Sequence, residues 1–125
     1  MDKEKLNADV SAAKLAYLGD AVYELIARAR LIASPDGAHP STHATEFVTA
    51  QAQSAALGRI EAMLTEEEAD VYRRGRNCVH GNIPKSASAA DYRRATGLEA
   101  LMGYLWLAGR FDRALELFDA AFREI

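Results

Sequence analysis

The chain has 125 residues, half of them hydrophobic, and a formal net charge of −3, which suits one cooperative domain over residues 1–125. No apolar run approaches the roughly 20 residues of a membrane span, and the charged start, Met1-Asp-Lys-Glu-Lys, leads into no secretory segment. A single cysteine, Cys78, makes no internal disulfide and suits a cytoplasmic protein, while sparse β-branched and aromatic residues beside abundant Ala, Leu, Glu and Arg predict an all-α fold.

The first predicted helix runs from about Ser11 to Ile32, with Leu15, Leu18, Val22, Leu25, Ile26 and Ala29 forming one apolar stripe. Ser34-Pro-Asp-Gly-Ala-His-Pro40 is dense in turn residues and reads as a loop. A second helix begins near Ser41 or Thr42, ends before Gly58 and is continued by a short helical stretch over 57–64. Its alanines, Ala50, Ala52, Ala55 and Ala56, suit close packing. Thr65-Glu-Glu-Glu68 is a capping box that opens a third helix ending at Gly75. Residues 75–87 form an ordered loop with two glycines and a proline. Ser88-Ala-Ala-Asp91 caps a fourth helix through Ala108, Gly109 closes it, and Phe111 to Phe122 form the last. No internal repeat or low-complexity tract interrupts these elements.

The acidic average hides a basic stretch. From Tyr72 to Arg94 the cations are Arg73, Arg74, Arg76, Lys85, Arg93 and Arg94 against the single acid Asp91, so this segment carries +5 and the remainder −8. A segment of that kind is what a polyanionic partner would meet.

The fourth helix holds the strongest anomaly. In ATGLEALMGYLWLA, residues 95–108, Glu99 is the only charge, flanked by Leu98, Leu101, Met102, Leu105 and Trp106. A carboxylate on so apolar a helix loses several kcal/mol of solvation unless a cation or hydrogen bonds replace water. The structural alternative is an ion pair with a residue such as Arg28. Asp20 lies opposite the leucine stripe of the first helix, among Ala13, Ala16, Tyr17 and Ala27, and taken alone it reads as a solvated acid. Glycine within a helix costs about 1 kcal/mol, so Gly19, Gly97 and Gly103 mark close helix approach. A crossing near Gly19 and Gly97/Gly103 would bring Asp20 to Glu99. Two neighbouring carboxylates repel unless a divalent ion lies between them, and an all-oxygen set suits Mg²⁺ or Mn²⁺. Beside a basic loop, such an ion points to phosphodiester chemistry.

The segments LAYLGDAVYELIARARL (Leu15 to Leu31) and YRRATGLEALMGYLWLAGR (Tyr92 to Arg110) resemble the two signature helices of the ribonuclease III catalytic domain. The chain is most similar to the short branch of that family, the Mini-ribonuclease III enzymes. FVTAQAQSAAL (Phe47 to Leu57), LTEEEADVYRRGRN (Leu64 to Asn77) and IPK (Ile83 to Lys85) extend the likeness in order over most of the chain. The resemblance implies a ribonuclease III-like helical bundle and an obligate homodimer. It also implies Mg²⁺-dependent cleavage of double-stranded RNA, leaving 5′-phosphate and 3′-hydroxyl ends, with precursor 23S ribosomal RNA as the usual substrate. The catalytic and metal-binding Asp falls on Asp20 and the Glu on Glu99. Full-length ribonuclease III has further acids where this chain has Ala13, Ala16 and Thr96, so fewer protein ligands leave more waters on the metal.

The sequence has no room for an appended RNA-binding domain, so RNA contact falls to the catalytic body. Arg73, Arg74, Arg76, Asn77 and Lys85 are the candidates, reading shape and charge across a shallow minor groove. The following segment, CVHGN (Cys78 to Asn82), departs from the lysine- and serine-rich loop associated with the family. His39, His43, Cys78 and His80 are chemically suitable for zinc, but the Cys-x-His spacing is tight and Pro40 separates the two upstream histidines. Tyr17 and Tyr23 read as packing or dimer residues. The rival function is a catalytically silent, RNA-binding or ribonucleoprotein scaffold subunit, against which the presence of both Asp20 and Glu99 argues.

Overall fold

The computed structural model describes residues 1–33, 45–79, 81, 83–85 and 87–123. Its helices are α1 (Lys3–Asp9), α2 (Ala12–Ile32), α3 (Thr45–Val48), α4 (Ala50–Ile60), α5 (Glu66–Asn77), α6 (Ala89–Leu107) and α7 (Phe111–Ala121), with a 3₁₀ turn at Glu61–Met63 and no strand among the described residues. None of these helices is long and apolar enough to cross a membrane.

Local chemistry sets most of the boundaries. Ser11, Thr65 and Ser88 each accept a backbone N–H with the side chain at a helix start, and Thr65 with Glu68 forms the reciprocal capping box. Gly109, at φ 75°, turns the chain out of α6. Two expectations change. Thr49 takes an extended conformation and caps Ala50–Ile60 through its hydroxyl, so the second helix is broken into α3 and α4. Gly75 is buried and does not end α5, which continues to Asn77. The N-terminal α1 is an addition to the expected elements. It is short, capped by Asp2, and tied to the core by Leu6, which is almost fully buried. The loop from Ser34 to Pro40 and the expected helix start at Ser41 or Thr42 lie outside the described residues, as do His39, His43 and His80.

Helix α6 is the axis of the molecule, packing against α2, α4, α5 and α7. Burial on so many sides is why its apolar residues show no single face. Trp106 is an exception to the expected burial, at 44% exposed, and it packs edge-on against Phe111. On the far side of α2, Tyr23, Phe47, Phe118 and Phe122 interlock with ring centroids 4.8–5.8 Å apart. Arg113 of α7 reaches the buried Glu68 at 2.9 Å and the Met63 carbonyl at 3.0 Å, joining α7 to the start of α5.

Two helix crossings fix α6. At the first, a Cβ on Gly19 would overlap the Glu99 carbonyl oxygen, and one on Gly103 would overlap the Leu15 carbonyl oxygen, so only glycine permits α2 and α6 to approach so closely. At the second, a Cβ on Gly97 would lie 2.6 Å from the Tyr72 ring, and one on Gly75 would lie 3.0 Å from the Gly97 Cα. Gly97 therefore serves the α5–α6 contact and not the α2–α6 contact expected for it. Successive residues of a helix are turned by about 100°, so Gly97 and Glu99, though near in sequence, project from well-separated sides of α6.

Candidate active site

The Gly19–Gly103 crossing sets the position of the two acids. Asp20 follows Gly19 on α2, and Glu99 is one turn before Gly103 on α6, so backbone contact delivers the carboxylates to each other. They meet at hydrogen-bonding range. Their surroundings are unequal. Glu99 is half-buried while Asp20 is exposed, the solvated position that its register on α2 predicts. The apolar stripe of α2 faces the core, which leaves Asp20 at the solvent rim of the crossing.

Burial raises the Glu99 pKa to about 8, with the hydrogen bond that protonated Glu99 donates to Asp20 and the negative charge of Asp20 adding in the same direction and Gln53 opposing them. Glu99 thus retains its proton near neutrality. Arg28, the alternative partner for Glu99, instead bonds Glu24 one turn away on α2 at 2.8 Å.

Gln53 joins the site without having been among the expected residues. It is 4% exposed on α4 and donates its side-chain N–H to the Val48 carbonyl at 3.1 Å, while its Oε1 is buried without a hydrogen-bond partner. The signal is present in the sequence: Gln53 falls in helical register with Ala56, Leu57 and Ile60, all fully buried, a polar residue on a core face. Tyr23 is also buried, donating its hydroxyl to the Phe47 carbonyl. Burial and the nearby Glu99 charge push its phenol far above the usual range, which makes it a packing residue.

The Asp20 and Glu99 side chains offer oxygen donors alone at the crossing. That chemistry fits a hard divalent cation that keeps several waters. No third His, Cys, Asp or Glu joins the pair among the described residues, and none gathers around Cys78. Cys78 caps α5, its thiol reaching the Gly75 carbonyl at 3.1 Å.

The expected RNA contacts divide. Arg73, Arg74, Arg76 and Asn77 share the last turns of α5, and Lys85 is exposed beyond them. Asp70 lies 3.3 Å from Arg74 and 3.9 Å from Arg73, so an acid just outside the basic segment offsets part of its charge. Arg76 stacks over the Tyr72 ring at 5.6 Å and donates to Asn77 at 3.2 Å. Tyr72 in turn packs on Gly97, which couples this basic helix end to the helix bearing Glu99.

Comparison with known proteins identifies the class: residues 13–110 match the Ribonuclease III domain, and the chain belongs to that family and is an endoribonuclease. Its relatives there are Mini-ribonuclease 3 proteins. That of Symbiobacterium thermophilum is 48% identical over 111 residues, covering 86% of this chain and 84% of the relative. That of Brevibacillus brevis is 41% identical over 129 residues, covering 98% and 95%. A crystal structure of a Fusobacterium nucleatum protein superposes with a TM-score of 0.84 at 26% identity, covering 94% of this chain and 96% of that one.

Proposed function

We propose that the chain is a Mg²⁺-dependent, cytoplasmic Mini-ribonuclease that cuts double-stranded RNA, with residues 1–125 forming its catalytic domain and Asp20 and Glu99 its catalytic and metal-binding pair. The observation that carries this is the glycine crossing, which places one carboxylate from each family-matching helix side by side at a solvent-facing rim. Asp20 and Glu99 would hold the cation, and Mn²⁺ would serve in the same oxygen set. When bound, the cation supplies activation of water and stabilisation of the charge that builds on the scissile phosphate. The chain's own cations act around that centre: Arg73, Arg74, Arg76 and Lys85 bind phosphates, and Asn77 meets the sugar edge of the shallow groove.

The family likeness supplies the rest of the reading: products with 5′-phosphate and 3′-hydroxyl ends, and the paired ends of precursor 23S ribosomal RNA as substrate. A homodimer would present one such site to each antiparallel strand. It is supported by an exposed apolar stripe on α2, where Tyr17 is 86%, Leu25 53% and Ile32 76% exposed. Leu25 belongs to this outer stripe and not to the core stripe expected for it. Side chains of this size in one row suit a partner surface.

The test is incubation of the purified protein with a long RNA duplex and with its separated strands, in Mg²⁺ and in chelator. Duplex cleavage in Mg²⁺ alone, giving 5′-phosphate ends, is expected. Binding of the duplex without cleavage in either condition would favour the scaffold subunit.

A further inference from the structure

Gln53 is expensive to bury in its present form. Beside Ala56, Leu57 and Ile60, a leucine or methionine would fill the same space without leaving an amide acceptor unmade, and buried acceptors of that kind are rare and costly. The chain nonetheless holds this side chain firmly. Because the helix breaks at Thr49, the Ala52 N–H turns to the Thr49 hydroxyl, and the Val48 carbonyl is left to accept from the Gln53 amide nitrogen at 3.1 Å. The backbone N–H of Gln53 bonds the Thr49 carbonyl at 2.9 Å. The same amide also interacts with the Glu99 carboxylate, so its oxygen, one amide width from that nitrogen, lies on the Glu99 side of the acidic pair.

We propose that Gln53 is a positioning residue of the metal centre: its N–H orients the Glu99 carboxylate, and its buried Oε1 accepts a hydrogen bond from a hydration water of the divalent cation. This rests on the metal-site reading of Asp20 and Glu99. An amide is suited to both tasks, since it donates on one side and accepts on the other without adding charge. It also answers the scarcity of acids in this chain. With Ala13, Ala16 and Thr96 where further carboxylates could stand, the cation keeps more waters, and those waters need acceptors. Outer contacts of this type fix the ligands they touch, and losing one typically costs about 10–100-fold in metal affinity.

The experiment measures Mn²⁺ affinity by electron paramagnetic resonance of the free ion, without RNA, on the full chain and on Gln53→Met, Gln53→Glu and Glu99→Gln. Methionine conserves volume and removes both hydrogen-bonding functions. Glutamate cannot donate to Val48 or Glu99, but it keeps an acceptor oxygen for the hydration water and adds a negative charge beside the cation, which offsets the lost donor. The expected result is a loss of tenfold or more in Gln53→Met, affinity at or above wild type in Gln53→Glu, and loss of binding in Glu99→Gln. If Gln53→Met and Gln53→Glu weaken alike, or neither weakens while Glu99→Gln does, Gln53 is a structural residue and the metal centre stands without it. If Glu99→Gln binds as wild type does, the metal-site reading itself falls and the role of Gln53 with it. Should Gln53→Met not fold by circular dichroism, Gln53→Glu decides: retained affinity supports the role, and a tenfold loss overturns it.

Discussion

Replacing Glu99 by Gln should make the metal-free protein more stable, and the gain should depend on pH. In the folded chain burial and Asp20 hold the Glu99 pKa at about 8, against a usual value of 4.5. A raised folded pKa means that its full contribution is present below about 4.5, is lost as pH rises towards about 8, and stays lost above that. Each tenfold change in proton affinity is worth about 1.4 kcal/mol, so at pH 7 keeping the carboxyl protonated, or ionising it in place, costs the fold about 3 kcal/mol. Glutamine keeps the shape, carries no charge, and can donate an N–H to Asp20. In a domain of this size about 3 kcal/mol corresponds to roughly 10 °C in Tm. The assay is a series of thermal melts of both proteins in chelator from pH 5 to pH 9. The curves should nearly meet at pH 5 and separate as pH rises, with wild type the less stable. Added Mg²⁺ should then raise the wild-type Tm, since it binds the folded chain, and should do little for the variant. A variant several degrees less stable than wild type throughout, or two curves that run parallel, would make Glu99 a structural partner and refute this account of the pair.

Gly19→Ala places a methyl group on the Glu99 carbonyl oxygen, so α2 and α6 must separate; a loss of about 3 kcal/mol or more is expected, read as a large fall in Tm and loss of cleavage. Arg74→Ala and Arg76→Ala should each weaken duplex RNA binding and, if duplex RNA behaves like B-DNA, flatten the dependence of log K on log salt by about 0.9, measured over a salt series. The smaller effect should come from Arg74, which Asp70 already engages at 3.3 Å. Tyr17→Asp with Ile32→Asp should convert a dimer into monomers in sedimentation velocity, because it places charge in the exposed stripe of α2.

The helices were legible where local chemistry sets them. Ser11, Thr65 and Ser88 carry their capping bonds in the sequence, and Gly109 marks the end of α6. The approach of Asp20 to Glu99 was legible because glycine inside a helix and a charge inside an apolar helix are each costly, and the Gly19–Gly103 crossing accounts for both. What escaped was set by tertiary contact. Gly75 looks like a terminator, but Ala100 and Gly97 pack against it and carry the helix past it. Leu25 is in register with the core of α2 yet faces outward, since spacing gives the stripe but not its edges. Thr49 breaks a helix that alanine-rich sequence would continue, and with that break the orientation of Gln53 was hidden as well.

The central claim is that Asp20 and Glu99 together form a metal-dependent cutting site and not a binding or folding element. The most direct measurement compares Asp20→Asn and Glu99→Gln with wild type on one RNA duplex, recording the cleavage rate in Mg²⁺ and, in chelator, the affinity for the same duplex. Both variants should bind the duplex within a fewfold of wild type and cleave it slower by orders of magnitude. Wild-type cleavage by either variant, or cleavage by the wild type that persists in chelator, would contradict the claim.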